Sequence, residues 1–314
     1  MDTIMKIWLF YGILSAILMV TLLILLNTNK LFVHSFYRII SMDILLNLLC
    51  WINTWPNRIV YRMDTAGFVL FLYENAHSLL EFSSFLAVAF FHIQSLSSIM
   101  ICVHRLTTAV FSSSDKFWSR WYFLVYTLVI AYSCFASSLI KLPTIQYNYE
   151  TKEFIEAVLP HETGLLYGVI ILLFMIVYLV ILMSIGLTTI IQVRKRLGNH
   201  AEQQKELLRR MSKIAILNNC IYAIFLFWYF IASWQLKPKM EFMLTASDLV
   251  SSEVYCKIKK EIIQMTFSIS YIMLFLDRNV RMALKNSVVP ESFTRLYNAR
   301  VSTSNGRQNG FMAA

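Results

Sequence analysis

Residues 7–27 read IWLFYGILSAILMVTLLILLN, and no charged side chain interrupts them. About 20 consecutive apolar residues in a helix cover the hydrocarbon core of a bilayer. The stretch is longer than the apolar core of a secretory signal, and no small-residue cleavage site follows it. It is read as the first membrane span, retained in the chain.

Working outward, six further segments repeat the pattern. The second runs over 37–60, is interrupted by Asp43, Asn47 and Asn53, and closes on Trp55-Pro56-Asn57-Arg58. The third covers 79–103 and ends at His104-Arg105; the fourth covers 121–142, capped by Pro143, which cannot extend a helix it follows. The fifth covers 164–193 and the sixth 214–236. The seventh, 255–276, holds the apolar run Ile262–Leu276 and borrows the polar stretch before it to reach across. A span buried in a bundle tolerates this, since one face never meets lipid. The sequence therefore predicts an all-α membrane protein, a bundle of seven transmembrane helices.

Composition agrees. Hydrophobic residues make up 58% and charged residues 15%, against about 45–50% and about 25% in soluble globular chains. Mean hydropathy is +0.59. The apolar residues come in blocks rather than alternating, which excludes a transmembrane β-barrel. Gly164 and Gly168 form a GxxxG pair that allows close helix packing at the start of the fifth span.

Lysine and arginine in the connections set the orientation. On these boundaries the first, third and fifth loops and the tail hold 18 of the 28 Lys and Arg, and the opposite side holds 10. The basic side is read as cytoplasmic, so the N-terminus is expected outside and the C-terminus inside. The net charge of +10 is then an inner-leaflet and cytoplasmic-partner signal, and no nucleic acid is implied. Residues 278–285, RNVRMALK, form an expected short helix on the inner membrane surface, and 286–314 an expected disordered tail. The receptor unit is thus 1–285.

Several polar residues stand out. Asp43 is the acid placed well inside a span, and an isolated membrane carboxylate costs about 2.5–3.5 kcal/mol. Asn47 lies one turn on and shares its face. The pair reads either as a polar node that changes between two states or as an interhelical anchor. His104-Arg105 at the inner end of the third span reads as a partner contact, a tie to the sixth span, or an ordinary interfacial anchor. Arg194, Lys195, Arg196, Arg209 and Arg210 continue that basic inner face. Candidate lining for a ligand cavity is Arg58, His92, Trp228, Tyr229, Glu261, Gln264 and Ser268. For each, a bland reading competes: aromatic or arginine anchoring at an interface, or a polar seam between helices. No metal-ligand spacing, nucleophile elbow, P-loop or paired membrane acids occur, so neither catalysis nor a cofactor is expected.

Three stretches carry a family resemblance. WLFYGILSAILMVTLLILL (8–26), SFYRIISMDILLNLLCWINTWPNRI (35–59) and QSLSSIMICVHRLTTAVF (94–111), followed by Phe117-Trp118, resemble the nematode serpentine receptors of class gamma. The resemblance covers about Ile7 to Lys285. It implies a chemosensory receptor for a small molecule, acting through a heterotrimeric G protein that meets His104-Arg105, in the plasma membrane of a sensory neuron's cilium. The chain departs from the rhodopsin-like pattern. It has no DRY at the third-span exit, no NPxxY in the seventh span (FSISYIMLFLDRNVR, 267–281), and no cysteine at the outer start of the third span or in the 143–163 loop. Two rivals remain: a receptor-fold protein with a structural or developmental role, and a transporter or channel subunit, which needs a continuous polar path.

Overall fold

The structure is a computed structural model. It describes residues 3–60, 67–111, 113–140, 145–150, 153–156, 161–196, eight residues between 213 and 224, and 262–288. Helices α1 (Thr3–Thr28) and α2 (Ser35–Val60) are joined by a short turn over Lys30–Phe32. A short α3 (Phe68–Asn75) precedes the long α4 (His77–Val110), which is followed by α5 (Ser114–Ser138). Strands β1 (Ile145–Asn148) and β2 (Glu153–Glu156) then pair antiparallel, Tyr147 opposite Phe154. Next come α6 (His161–Arg196), α7 (Ile262–Leu276) and α8 (Arg278–Val288).

Five of these helices are long and apolar enough to cross a membrane. Helices α2 and α4 are mostly buried in the bundle, whereas α1, α5 and α6 each hide one stripe and expose the rest. The principal core gathers Leu22 of α1, Phe36, Ile40 and Ile44 of α2, Ile101 of α4, Tyr126 of α5 and Met273 of α7. A second core joins α4 to α6 through Val88, Ile99, Met175, Tyr178 and Leu182. On the far side of α6, Leu166, Leu173, Val180 and Leu187 recur every seventh residue and are exposed. A continuous apolar stripe of this kind is unfavourable in water and natural against acyl chains.

The helices run beyond the expected spans for local reasons. Helix α4 continues past Arg105 to Val110, because nothing breaks it there: the Thr108 hydroxyl bonds back to the His104 carbonyl at 2.8 Å, and the chain stops only after the Phe111 N–H reaches the Thr107 carbonyl. His104-Arg105 therefore lies inside the helix rather than at its exit. At about 1.5 Å per residue the 34 residues of α4 span roughly 50 Å, well beyond the hydrocarbon layer. Helix α5 starts and ends earlier than expected, at Ser114 and Ser138, so Pro143 is not its cap. Of the GxxxG pair, the Gly164 surroundings lie outside the description, and Gly168 makes no close approach among the described residues. A side chain at Gly168 would meet nothing within 4 Å, whereas one at Gly12 would meet the Trp51 indole at 2.8 Å. The close helix approach is between α1 and α2, where small size is needed to admit a tryptophan.

Residues of the expected sixth span lie largely outside the described residues; those described, from Lys213 to Ile224, are helical. Residues 255–261 and 289–314 also lie outside them. Residues 278–285 are helical, within α8, with Val280 and Ala283 buried and Arg278, Arg281 and Lys285 exposed.

Candidate functional site

Two clusters of buried polar side chains hold the bundle together. The first is midway along α2. Asp43 accepts hydrogen bonds from both sides: the Ser97 hydroxyl of α4 donates to Oδ1 at 2.5 Å, and the Asn47 amide donates to Oδ2 at 2.9 Å. Asn47 in turn accepts from the Gln94 amide of α4 at 2.7 Å. With the Ser97 proton committed to Asp43, the Tyr126 hydroxyl of α5 is the donor in its 3.0 Å contact with Ser97, and it is shared with the Ile39 carbonyl at 3.3 Å. Asp43, Asn47, Gln94, Ser97 and Tyr126 are all buried. Polar groups removed from water must be paired internally, and here the pairing closes over three helices.

His92 of α4 lies close by on another face. Its Nδ1 meets the Tyr178 hydroxyl of α6 at 2.8 Å, and Phe174 stacks edge-on at 4.8 Å. The other ring nitrogen is buried without a hydrogen-bond partner.

The second cluster lies at the α2 N-terminus, where Ser35 meets α4 and α5, Phe36 meets α4, and Tyr37 meets the junction of α7 and α8. Ser35 donates to Asp115 Oδ1 through its hydroxyl at 2.5 Å and its N–H at 3.0 Å. Its oxygen is 2.7 Å from His104 Nε2. Because the serine proton is on Asp115, His104 carries its proton on Nε2, and Nδ1 is left as a buried acceptor without a partner. Phe36 lies under the Arg105 guanidinium, 3.6 Å from the ring centre. Arg105 is itself buried, and among the described residues its Nε and Nη2 have no hydrogen-bond partner. The Tyr37 hydroxyl donates to Asp277 Oδ2 at 2.8 Å, while Asp277 Oδ1 accepts from the Asn279 N–H at 2.9 Å and so caps α8.

His34, between α1 and α2, sits 3.4 Å from Asp115 and accepts from the Phe36 N–H at 3.2 Å. Burial lowers its pKa and outweighs the attraction of Asp115, with the Arg105 charge adding to the lowering. His34 is therefore neutral at pH 7, and the contact with Asp115 is polar rather than ionic.

Measured against the sequence reading, the structure brings Asp43 and Asn47 together and adds Gln94, Ser97 and Tyr126. His104 and Arg105 are interior groups, not surface ones. Lys195 is exposed at the end of α6. Arg58 lies on α2, Arg194 and Arg196 on α6, and Gln264 and Ser268 on α7; their side chains are outside the description. Arg209, Arg210, Trp228, Tyr229 and Glu261 lie outside the described residues. Sequence reasoning missed Ser97 and Tyr126. Ser97 is one of three serines close together, with Ser95 and Ser98, and only its register against Asp43 distinguishes it. Among the described residues no group of His, Cys, Asp and Glu is arranged to hold a metal.

Apolar helices with lipid-facing stripes, closed by buried polar contacts between spans, define a multi-pass helical membrane protein. Residues 5–284 match the family model described as Srg family chemoreceptor. The chain is 41% identical to serpentine receptor class gamma-53 of Caenorhabditis elegans over 96% of its own length and 98% of that protein's. It is 24% identical to serpentine receptor class gamma-47 of the same organism over 87% of each chain. The chain belongs to the Srg family of chemoreceptors, and its fold is the seven-transmembrane helical bundle of that family.

Proposed function

We propose that this receptor senses a small molecule from the outer side of a cell membrane and signals through a heterotrimeric G protein at its inner end, with the N-terminus outside. The observation that supports it is the pair of polar clusters on α2. One lies within the membrane and ties α2 to α4 and α5. The other, at the α2 N-terminus, ties the same helices and α7–α8. A ligand that shifts α4 against α2 has to exchange one complete set of buried hydrogen bonds for another, so the bundle favours discrete states over gradual deformation. A channel or transporter would use its buried polar groups to line a path; here those of the Asp43 node are spent on one another.

On this reading His92 and the outer residues Arg58, Trp228, Tyr229, Glu261, Gln264 and Ser268 border the ligand. Arg105 and the basic residues Arg194, Lys195, Arg196, Arg209 and Arg210 border the G protein once the inner end opens. The membrane is the plasma membrane, in the cilium of a sensory cell. The test is a G-protein-dependent response to a panel of small volatile and small amphipathic molecules, in cells expressing the chain or its Arg105→Ala variant at matched surface levels. A response lost in the variant supports the reading; an equal response in both removes Arg105 from the coupling face. Sidedness is read separately, by placing an N-x-[ST] sequon at Tyr149–Glu150 in the hairpin turn. Glycosylation there is expected, and its absence in a folded chain reverses the orientation.

A further inference from the structure

Arg38, Lys116 and Arg120 form a basic patch at the end of the bundle where α2 and α5 begin. Lys116 and Arg120 are one turn apart on α5, and both are exposed. Side chains four apart on a helix are neighbours on one face. Arg38 crosses from α2 to the same stretch: its Nη1 donates to the Ser119 carbonyl at 2.9 Å, and its guanidinium lies 5.9 Å from the Tyr122 ring centre. None of the three cations forms an ion pair among the described residues. The acid nearest in sequence, Asp115, has its Oδ1 engaged by Ser35 and His34, and the Arg38 charge acts on its carboxylate from beyond ion-pair distance.

The surroundings are apolar and outward-facing. Phe117 is 53% exposed, Trp121 42% and Phe123 66%. Arg120 lies over the Trp121 ring at 5.5 Å. Aromatic rings beside cations at a helix end mark the level where headgroups meet acyl chains. Unpaired cations at that level, with lipid-facing rings one turn deeper, match a molecule that is anionic at one end and apolar at the other.

We infer that Arg38, Lys116 and Arg120, with Trp121 and Phe123, form a binding site for the headgroup of a polyanionic inner-leaflet phospholipid, of the phosphoinositide class. The phosphates lie against the three cations and the acyl chains run down the exposed face of α5. The cations lie on α2 and α5, the two helices joined by Tyr126 and Asp115, so a bound lipid stabilises that pairing. That the leaflet is the inner one rests on the orientation proposed above; the binding chemistry does not.

The test uses the full chain purified in detergent, where leaflet and orientation play no part. Native mass spectrometry reads the lipid retained after addition of dioleoyl phosphatidylinositol 4,5-bisphosphate or dioleoyl phosphatidylcholine. The unaltered chain retains the first and not the second. The double variant Lys116→Ala/Arg120→Ala weakens retention about 30-fold, from the usual worth of two cations at a charged membrane surface. The Lys30→Ala/Lys285→Ala variant, which removes two other exposed cations, retains lipid like the unaltered chain. Equal retention by both double variants overturns the site, whether both bind or both fail. Equal competition by soluble inositol trisphosphate overturns the lipid assignment in favour of a soluble phosphate. Among the described residues Lys116 and Arg120 make no side-chain hydrogen bond, and an unchanged thermal transition of the variant verifies that folding does not need them. A lost sequon glycosylation with retained lipid binding reverses the leaflet and leaves the site intact.

Discussion

Replacing Asp43 by alanine removes the acceptor for two buried donors, the Ser97 hydroxyl and the Asn47 amide. A buried donor stripped of its partner costs about 1–3 kcal/mol in a soluble core. Interhelical hydrogen bonds in membranes average nearer 0.6 kcal/mol, because the inserted but unpacked chain finds other partners. The cost of placing a carboxylate in the membrane is shared by packed and unpacked states and largely cancels. The net destabilisation is therefore about 1–4 kcal/mol. At roughly 2–4 °C per kcal/mol the transition falls by about 2–16 °C. Asp43→Asn behaves differently. Its oxygen still accepts from Asn47, its amide donates to Ser97, and the serine hydroxyl turns its proton toward Tyr126. That variant keeps every group paired and loses little. The assay is thermal unfolding in detergent, followed by a thiol-reactive dye, since Cys50 and Cys102 are buried and become reactive on unfolding. An alanine variant that melts with the unaltered chain, or an asparagine variant that melts as early as alanine, refutes the reasoning.

Other outcomes follow from the packing and the inner cluster. Gly12→Ala drives a methyl against the Trp51 indole and costs about 1–3 kcal/mol. Gly168→Ala meets nothing within 4 Å and gains up to about 1 kcal/mol from helix propensity; the same thermal assay ranks the two. Tyr37→Phe frees one oxygen of Asp277 and loses about 1–3 kcal/mol of charge-assisted bonding, seen as faster amide exchange over 278–288, with α1 unchanged. His34 has its pKa lowered by burial below the ordinary 6.5, so the unfolded chain binds the extra proton first. Stability is full above pH 6.5 and declines as pH falls below it. His34→Gln flattens that decline in melts taken between about pH 7.5 and 5.5.

The spans were legible because they are long apolar blocks, and periodicity is the strongest signal a sequence carries. Their ends were less so. Nothing in the apolar pattern says that α4 continues through two threonines to Val110, since threonine is a poor helix former until its hydroxyl finds a carbonyl one turn back. Helix α3 and the hairpin escaped because FVLFLYEN (68–75) is too short to span, and the two strands show only four residues each. Asp43 announced itself by its cost. Its partners on other helices did not, because register between spans is a tertiary property: Ser97 and Ser98 are adjacent in sequence, and only one of them meets the carboxylate. The same limit applies to Gly168, which among the described residues has nothing within 4 Å of a side chain placed there.

His104-Arg105 shows what a positional argument can miss. A basic pair at the inner end of a span suggests an anchor at the membrane surface, and anchors leave their charge in water. Here the guanidinium is buried on an aromatic ring, with two of its nitrogens unpaired. A cation–π contact is worth about 0.5–2 kcal/mol, less than the several kcal/mol that a buried charge costs without a counterion. Both candidate counterions are committed elsewhere: Asp115 to Ser35 and His34, Asp277 to Tyr37 and the start of α8. Among the described residues the cluster at the α2 N-terminus is thus less satisfied than the Asp43 node, whose members pair with one another. The Asp43 node resists rearrangement because any movement breaks bonds already made, whereas movement at Arg105 has bonds to gain. Under the proposed signalling role, the membrane-centre cluster sets the resting state, and the inner cluster is where a partner offering backbone carbonyls or a carboxylate can pull the equilibrium over.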